Sequence, residues 1–201
     1  MVTSTCSLQV VAWADSVALV ETCRTPRPSS APSGMAFYLR GGTNVAVHQD
    51  STDVPGAVEA GDRMGESLTA VNTDPRAVST AATMRLAVGV PGEALGTADN
   101  AGAVHTFSLV AAAGANDRWI EAGDGDGIPG APGANQYLGR NMYYTGTHLY
   151  VGTPYGPGLG ALYALPMSNT VVGGGVAPVT AYKPGTGGLP DVGVRFGAQA
   201  R

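Results

Sequence analysis

A set of short motifs that recurs in fixed order limits what this chain can become. Val54-Pro55-Gly56-Ala57 is followed by Asp62-Arg63-Met64-Gly65, and the pair returns as Ile128-Pro129-Gly130-Ala131 and Gln136-Tyr137-Leu138-Gly139. A third start is Leu189-Pro190 leading to Val194-Arg195-Phe196-Gly197. After the first copy come Leu86-Ala87-Val88-Gly89-Val90-Pro91-Gly92-Glu93 and Gly102-Ala103-Val104-His105-Thr106-Phe107. After the second come Leu149-Tyr150-Val151-Gly152-Thr153-Pro154 and Gly160-Ala161-Leu162-Tyr163-Ala164-Leu165, in the same order. A period of roughly 60 to 75 residues built from short apolar runs predicts an array of similar units, a propeller or a solenoid. Such units present surfaces more often than they carry chemistry.

Those runs read as strands. β-branched or aromatic stretches bounded by turn residues predict strands at 8–14, 16–22, 34–40, 43–49, 64–71, 84–90, 102–110, 117–122, 138–145, 148–153, 160–166 and 178–183. Gly is 30 and Pro 14 of 201 residues, spread between the runs, which predicts many turns. Gly41-Gly42 and Thr145-Gly146-Thr147 suit tight hairpins. Ala111-Ala112-Ala113 favours a helix, but Gly114 follows too soon for one to stand alone. The reading is all-β, four antiparallel strands per unit, as in a propeller blade. The division is 1–62 (partial unit with an N-terminal hairpin), 63–136 and 137–194 (two repeats), and 195–201 (the start of another). Because the chain stops inside the motif at Phe196-Gly197-Ala198-Gln199-Ala200-Arg201, it is expected to be a piece of a longer array. Part of a propeller leaves open sheet edges, so neighbouring units or self-association are the expected partners there.

Composition removes several functions. Net charge is −4 and Lys183 is the only lysine, so there is no basic stripe for nucleic acid. No run of about 20 apolar residues predicts membrane insertion, and no signal peptide is visible at Met1-Val2-Thr3-Ser4-Thr5-Cys6. Cys6 and Cys23 flank a hairpin turning at Asp15, which allows either a disulfide or two buried thiols.

The pairing of Phe/Met/Leu-Gly with a downstream Val-Gly-x-Pro resembles the FG-GAP repeat, over about 50–201. Residues 1–49 match only through Gly34-Met35-Ala36-Phe37-Tyr38. That family builds the seven-bladed propeller of integrin α subunits and occurs in bacterial secreted proteins. The resemblance implies an extracellular or cell-surface, non-catalytic module for adhesion-like binding of protein or carbohydrate. The alternative is the propeller appendage of a secreted hydrolase whose catalytic domain lies elsewhere. Many members carry an Asp-rich calcium loop between the two motifs. Here the matching segments, Ala70 to Arg76 and Asn141 to Gly146, hold one carboxylate and none, so no calcium and no other cofactor is expected. Asp74 reads as a turn residue before Pro75, and Asp124-Gly125-Asp126-Gly127 as a turn without a distal acid.

No catalytic constellation stands out. No Gly-x-Ser-x-Gly elbow occurs. His48, His105 and His148 are isolated in strands, which suits surface or cross-strand roles. Gly156-Pro157-Gly158-Leu159-Gly160 reads as a turn, since no Lys-Ser/Thr ending or helix follows. Trp13, Trp119 and Tyr143-Tyr144 read as packing residues. Tyr155, directly after Pro154, is the candidate ligand-loop aromatic.

Overall fold

The computed structural model describes residues 5–13, 16–24, 34–40, 43–108, 110–112, 114–123, 127–156, 158–191 and 195–199, with backbone alone at 5–13, 16–24, 38–40, 43 and 44. Its strands are β1 (Thr5–Trp13), β2 (Ser16–Arg24), β3 (Ala36–Arg40), β4 (Thr43–Val47), β5 (Leu68–Asn72), β6 (Met84–Val90), β7 (Ala103–Ser108), β8 (Arg118–Ile120), β9 (Asn141–Tyr144), β10 (His148–Thr153), β11 (Ala161–Pro166) and β12 (Thr180–Tyr182). Among the described residues the only helical turn is a 3-10 turn at Met167–Thr170. The protein is all-β.

Two sheets have four strands each, β5-β6-β7-β8 and β9-β10-β11-β12, both in chain order and antiparallel. The two long motif copies therefore fold as the same meander. β1 pairs with β2 and β3 with β4 as separate hairpins. The β1–β2 register sets Cys6 opposite Cys23. Their side chains, and that of Trp13, lie outside the described residues, as does the turn at Asp15.

All twelve expected strands exist, but β5 and β9 begin late. The expected starts were Met64 and Leu138; the strands start at Leu68 and Asn141. Gly65 (φ 84°) and Gly139 (φ 78°) take the left-handed region, which interrupts extended backbone before the strand. The motif residue before each glycine instead makes one parallel bridge to the preceding unit. Met64 pairs with Gly34, Leu138 with Gly102 and Phe196 with Gly160. A side chain on any of those three partner glycines would strike the bridging backbone. At Gly89 and Gly152 of Val-Gly-x-Pro, a Cβ would strike the carbonyl oxygens of Gly139 and Gly197. The recurring glycines are thus the points where consecutive units touch backbone to backbone.

The sheets stack through apolar faces. β6 is buried along its whole length. Leu86, Val88 and Phe107 point into a core shared with Ala36, Val47, Val54 and Met64. Ala87, Val104 and Ile120, on the opposite face, pack with Leu138, Leu149, Val151 and Leu165 of the next unit. Alternation along a strand thus feeds two cores from one sheet. Polar ties cross the second junction as well. Thr106 Oγ1 (2.7 Å) and Arg85 Nη2 (2.6 Å) both donate to the buried Thr170 carbonyl. The Tyr144 N–H donates to Thr69 Oγ1 at 3.0 Å, and Ser67 Oγ donates to the Gly139 carbonyl.

Candidate functional site

Strand direction brings the informative loops to one end of both sheets. Asn141 lies opposite Gly152, so the segment entering β9 and the loop leaving β10 emerge together. The same holds for the entry to β5 and the exit of β6, where Gly89 N–H donates to the Ser67 carbonyl at 3.0 Å. Two clusters of opposite character occupy this end.

The first is a ladder of guanidinium groups and phenol rings. Arg63 Cζ lies 5.2 Å from the Tyr137 ring centre and Arg140 Cζ 5.7 Å from it. Arg140 also lies 5.7 Å from the Tyr155 ring, and Arg195 Cζ 5.1 Å from that ring. The rings meet edge to face at 5.5 Å. The order Arg63–Tyr137–Arg140–Tyr155–Arg195 runs across three motif copies, each ring contacted by two cations. Arg63, Tyr137 and Arg195 occupy the same repeat position, and all three have positive φ (58°, 53° and 63°). That uncommon backbone turns the side chain outward while the next residue bridges to the preceding unit. Tyr155, the aromatic expected to face a ligand, is 41% exposed.

One carboxylate enters the ladder. Glu66 pairs with Arg63 (2.9 Å) and with Arg140 (3.4 Å). Arg195 has no carboxylate partner among the described residues. Beside the ladder, between the leading ends of β5 and β9, lies a cavity of about 390 Å³. Polar side chains dominate its wall: Glu66, Ser67, Thr69, Arg140, Asn141 and Gln199.

The second cluster is acidic and closed. Glu93, only 7% exposed, accepts a 2.7 Å hydrogen bond from Gln49 Nε2. Asp62 Oδ2 accepts the Glu59 N–H, and the Asp62 carbonyl accepts the Gly92 N–H at 2.9 Å. Desolvation pushes the Glu93 carboxyl up to about 7, with Gln49 pulling down and Asp62, Glu59 and Glu121 pushing up. Desolvation likewise raises Asp62 to about 6, against the Glu59 N–H and with Glu59's charge adding to the rise.

His105 holds a third buried polar group. Its Nδ1 pairs with Asp117, whose other oxygen accepts the Thr106 N–H at 3.1 Å. Both side chains are sealed from solvent, and the Trp119 ring stands edge-on at 4.7 Å. A dyad with no path to substrate is structural; here it ties β7 to the entry of β8. Trp119 Nε1 donates to Glu121 Oε2 at 2.6 Å.

Other expectations divide. Tyr144 is core and Tyr143 is exposed, so only one of the pair packs. The Asp74 carbonyl accepts the Ala77 N–H at 3.2 Å, as a turn requires. Residues 124–126 lie outside the described residues, while their flanks close through Gly123 N–H to the Ile128 carbonyl at 3.0 Å. Among the described residues no group of three His, Cys, Asp or Glu side chains is set to hold a metal ion. Nor is any helix long and apolar enough to cross a membrane. No protein-family model and no curated protein matches the chain.

Proposed function

We propose that this chain is a non-catalytic binding module, a run of FG-GAP-like units from an extracellular propeller that engages carbohydrate or protein through its loops. One observation carries the reading: the ladder Arg63–Tyr137–Arg140–Tyr155–Arg195 lies on one end of stacked sheets, with Arg63, Tyr137 and Arg195 at equivalent repeat positions. A rigid frame that holds exposed aromatic and cationic side chains in register is the arrangement from which loops recognise ligands. Tyrosine and arginine are also the residues that dominate contact energies at binding surfaces. The buried His105–Asp117 pair stabilises that frame and takes no part in binding.

Screening the chain against arrays of glycans and cell-surface proteins tests the reading. Binding that is lost on replacing both Tyr137 and Tyr155 by alanine, in a protein with unchanged melting, is the expected result. Silence across both arrays, or binding that the double variant leaves intact, contradicts it.

A further inference from the structure

Resting on that binding reading, we infer that the ladder and its adjoining cavity form one site for a carboxylate-bearing saccharide. Charge is the first reason. Three of the chain's eleven cationic residues, Arg63, Arg140 and Arg195, gather here, paired among the described residues with one acid, Glu66, in a protein of net charge −4. Glu66 is spent on Arg63 and Arg140. Arg195, exposed at the end of the ladder, presents its fork of donors without a carboxylate among the described residues. A guanidinium takes a carboxylate in two parallel hydrogen bonds, a geometry that a lone ammonium does not match.

The phenols are the second reason. Tyr155 offers a ring at the surface, fixed by Tyr137 beneath it and by the guanidiniums of Arg140 and Arg195. A ring held from several sides presents an apolar plate at low entropic cost, suited to the C–H face of a sugar. Its hydroxyl remains free to face water or a ligand hydroxyl.

The third reason is the cavity. Its volume, about 390 Å³, falls within the range of small-molecule sites. Asn141 and Gln199 supply amide groups to its wall, the Ser67 and Thr69 hydroxyls being held by backbone, and Glu66 and Arg140 belong to both cavity and ladder. A polyhydroxylated ligand suits a wall that sets these polar groups beside Leu68, Met142, Tyr143 and Ala198, since a sugar carries both hydroxyls and C–H faces. In this site the carboxylate meets Arg195 and Arg140, one sugar ring lies on Tyr155, and the neighbouring ring places hydroxyls in the cavity.

Calorimetric titration of the full chain decides this. The probes are galacturonate, glucuronate and sialic-acid oligosaccharides, each beside its neutral counterpart, with a poly-glutamate peptide as the rival ligand. At least one acidic saccharide is expected to bind about tenfold or more tightly than its neutral partner, and to weaken with salt. Arg195→Gln and Tyr155→Ala each lower that affinity about tenfold, the scale of one charge-assisted contact. Arg195→Lys restores part of it and Tyr155→Phe most of it, all four variants melting like the parent. Equal affinity for acidic and neutral saccharides, no binding of any acidic saccharide, or indifference to both exposed substitutions overturns the inference. If poly-glutamate alone binds through Tyr155 and Arg195, the saccharide assignment falls and the binding-module reading stands. If the arrays of glycans and surface proteins are also silent, both fall.

Discussion

The two four-stranded sheets share a frame and differ at the loop that follows Val-Gly-x-Pro. In the first, Pro91 leads to Gly92 and Glu93. Gly92 lies so close to the Gly61 backbone that no side chain fits, and Glu93 turns inward onto Gln49. In the second, Pro154 leads to Tyr155, which stands at the surface between Arg140 and Arg195. The third strands differ in the same sense. His105, paired with buried Asp117, holds the place that Tyr163 takes in β11. The outer strands follow: β8 is partly buried, whereas all of β12 is exposed. One architecture has been closed in the first unit and left open in the second. Backbone contacts between units therefore define the fold, and loop residues are free to diverge into burial, as at Glu93, or exposure, as at Tyr155.

The largest expected effect breaks the shared frame. Gly89→Ala drives a methyl group into the Gly139 carbonyl and should destabilise by about 3 kcal/mol in chemical denaturation. Gly152→Ala meets the Gly197 carbonyl but should cost less. Leu138, beside Gly139, is fully buried, while Phe196, beside Gly197, is only half-buried and can shift. Equal losses would show that both junctions are equally rigid.

The next prediction concerns the sealed acids. Folded pKa values of about 7 for Glu93 and about 6 for Asp62 exceed their ordinary 4.5 and 3.8, so the folded chain binds protons more tightly than the unfolded one. Their contribution to stability is full below about pH 4 and is lost as pH rises through about 7. Glu93→Gln should stabilise the protein at pH 8, by on the order of 1–3 kcal/mol, and flatten melting temperature against pH. An unchanged slope would mean that the Glu93 loop is open, like its counterpart at Tyr155.

Thr106→Val probes the polar tie between sheets. It removes the donor to the Thr170 carbonyl, which keeps Arg85, so a loss of about 1 kcal/mol is expected in the same denaturation assay.

These outcomes also separate what was legible in the sequence from what was not. The strands were legible because alternating apolar runs sit between Gly and Pro signals, and the four-strand repeat followed from motif order. Tyr155 was legible from its place after Pro154. The ladder was hidden because Arg63, Tyr137 and Arg195 share a position but not a residue type. Their positive φ is also carried by non-glycine residues, which no turn signal marks. Glu93 ends the run Val88-Gly89-Val90-Pro91-Gly92-Glu93, and nothing in that run marks it as buried. Its burial depends on Gln49, 44 residues away. The Asp117 carboxylate that buries His105 lies beyond β7, so pairing of strands, not spacing, unites them.

Tyr155→Ala carries the smallest expected effect on stability. An exposed ring held by surface cation–π contacts should change it by under about 0.5 kcal/mol, seen as an unshifted denaturation midpoint.

The contrast between closed and open loops is tested most directly by amide hydrogen exchange, with and without a saturating acidic saccharide. Added protection is expected at 137–140, 153–156 and 195–199, with 59–62 and 91–93 unchanged. Protection centred on the Glu93 loop, or none at the Tyr155 loop, would contradict the account.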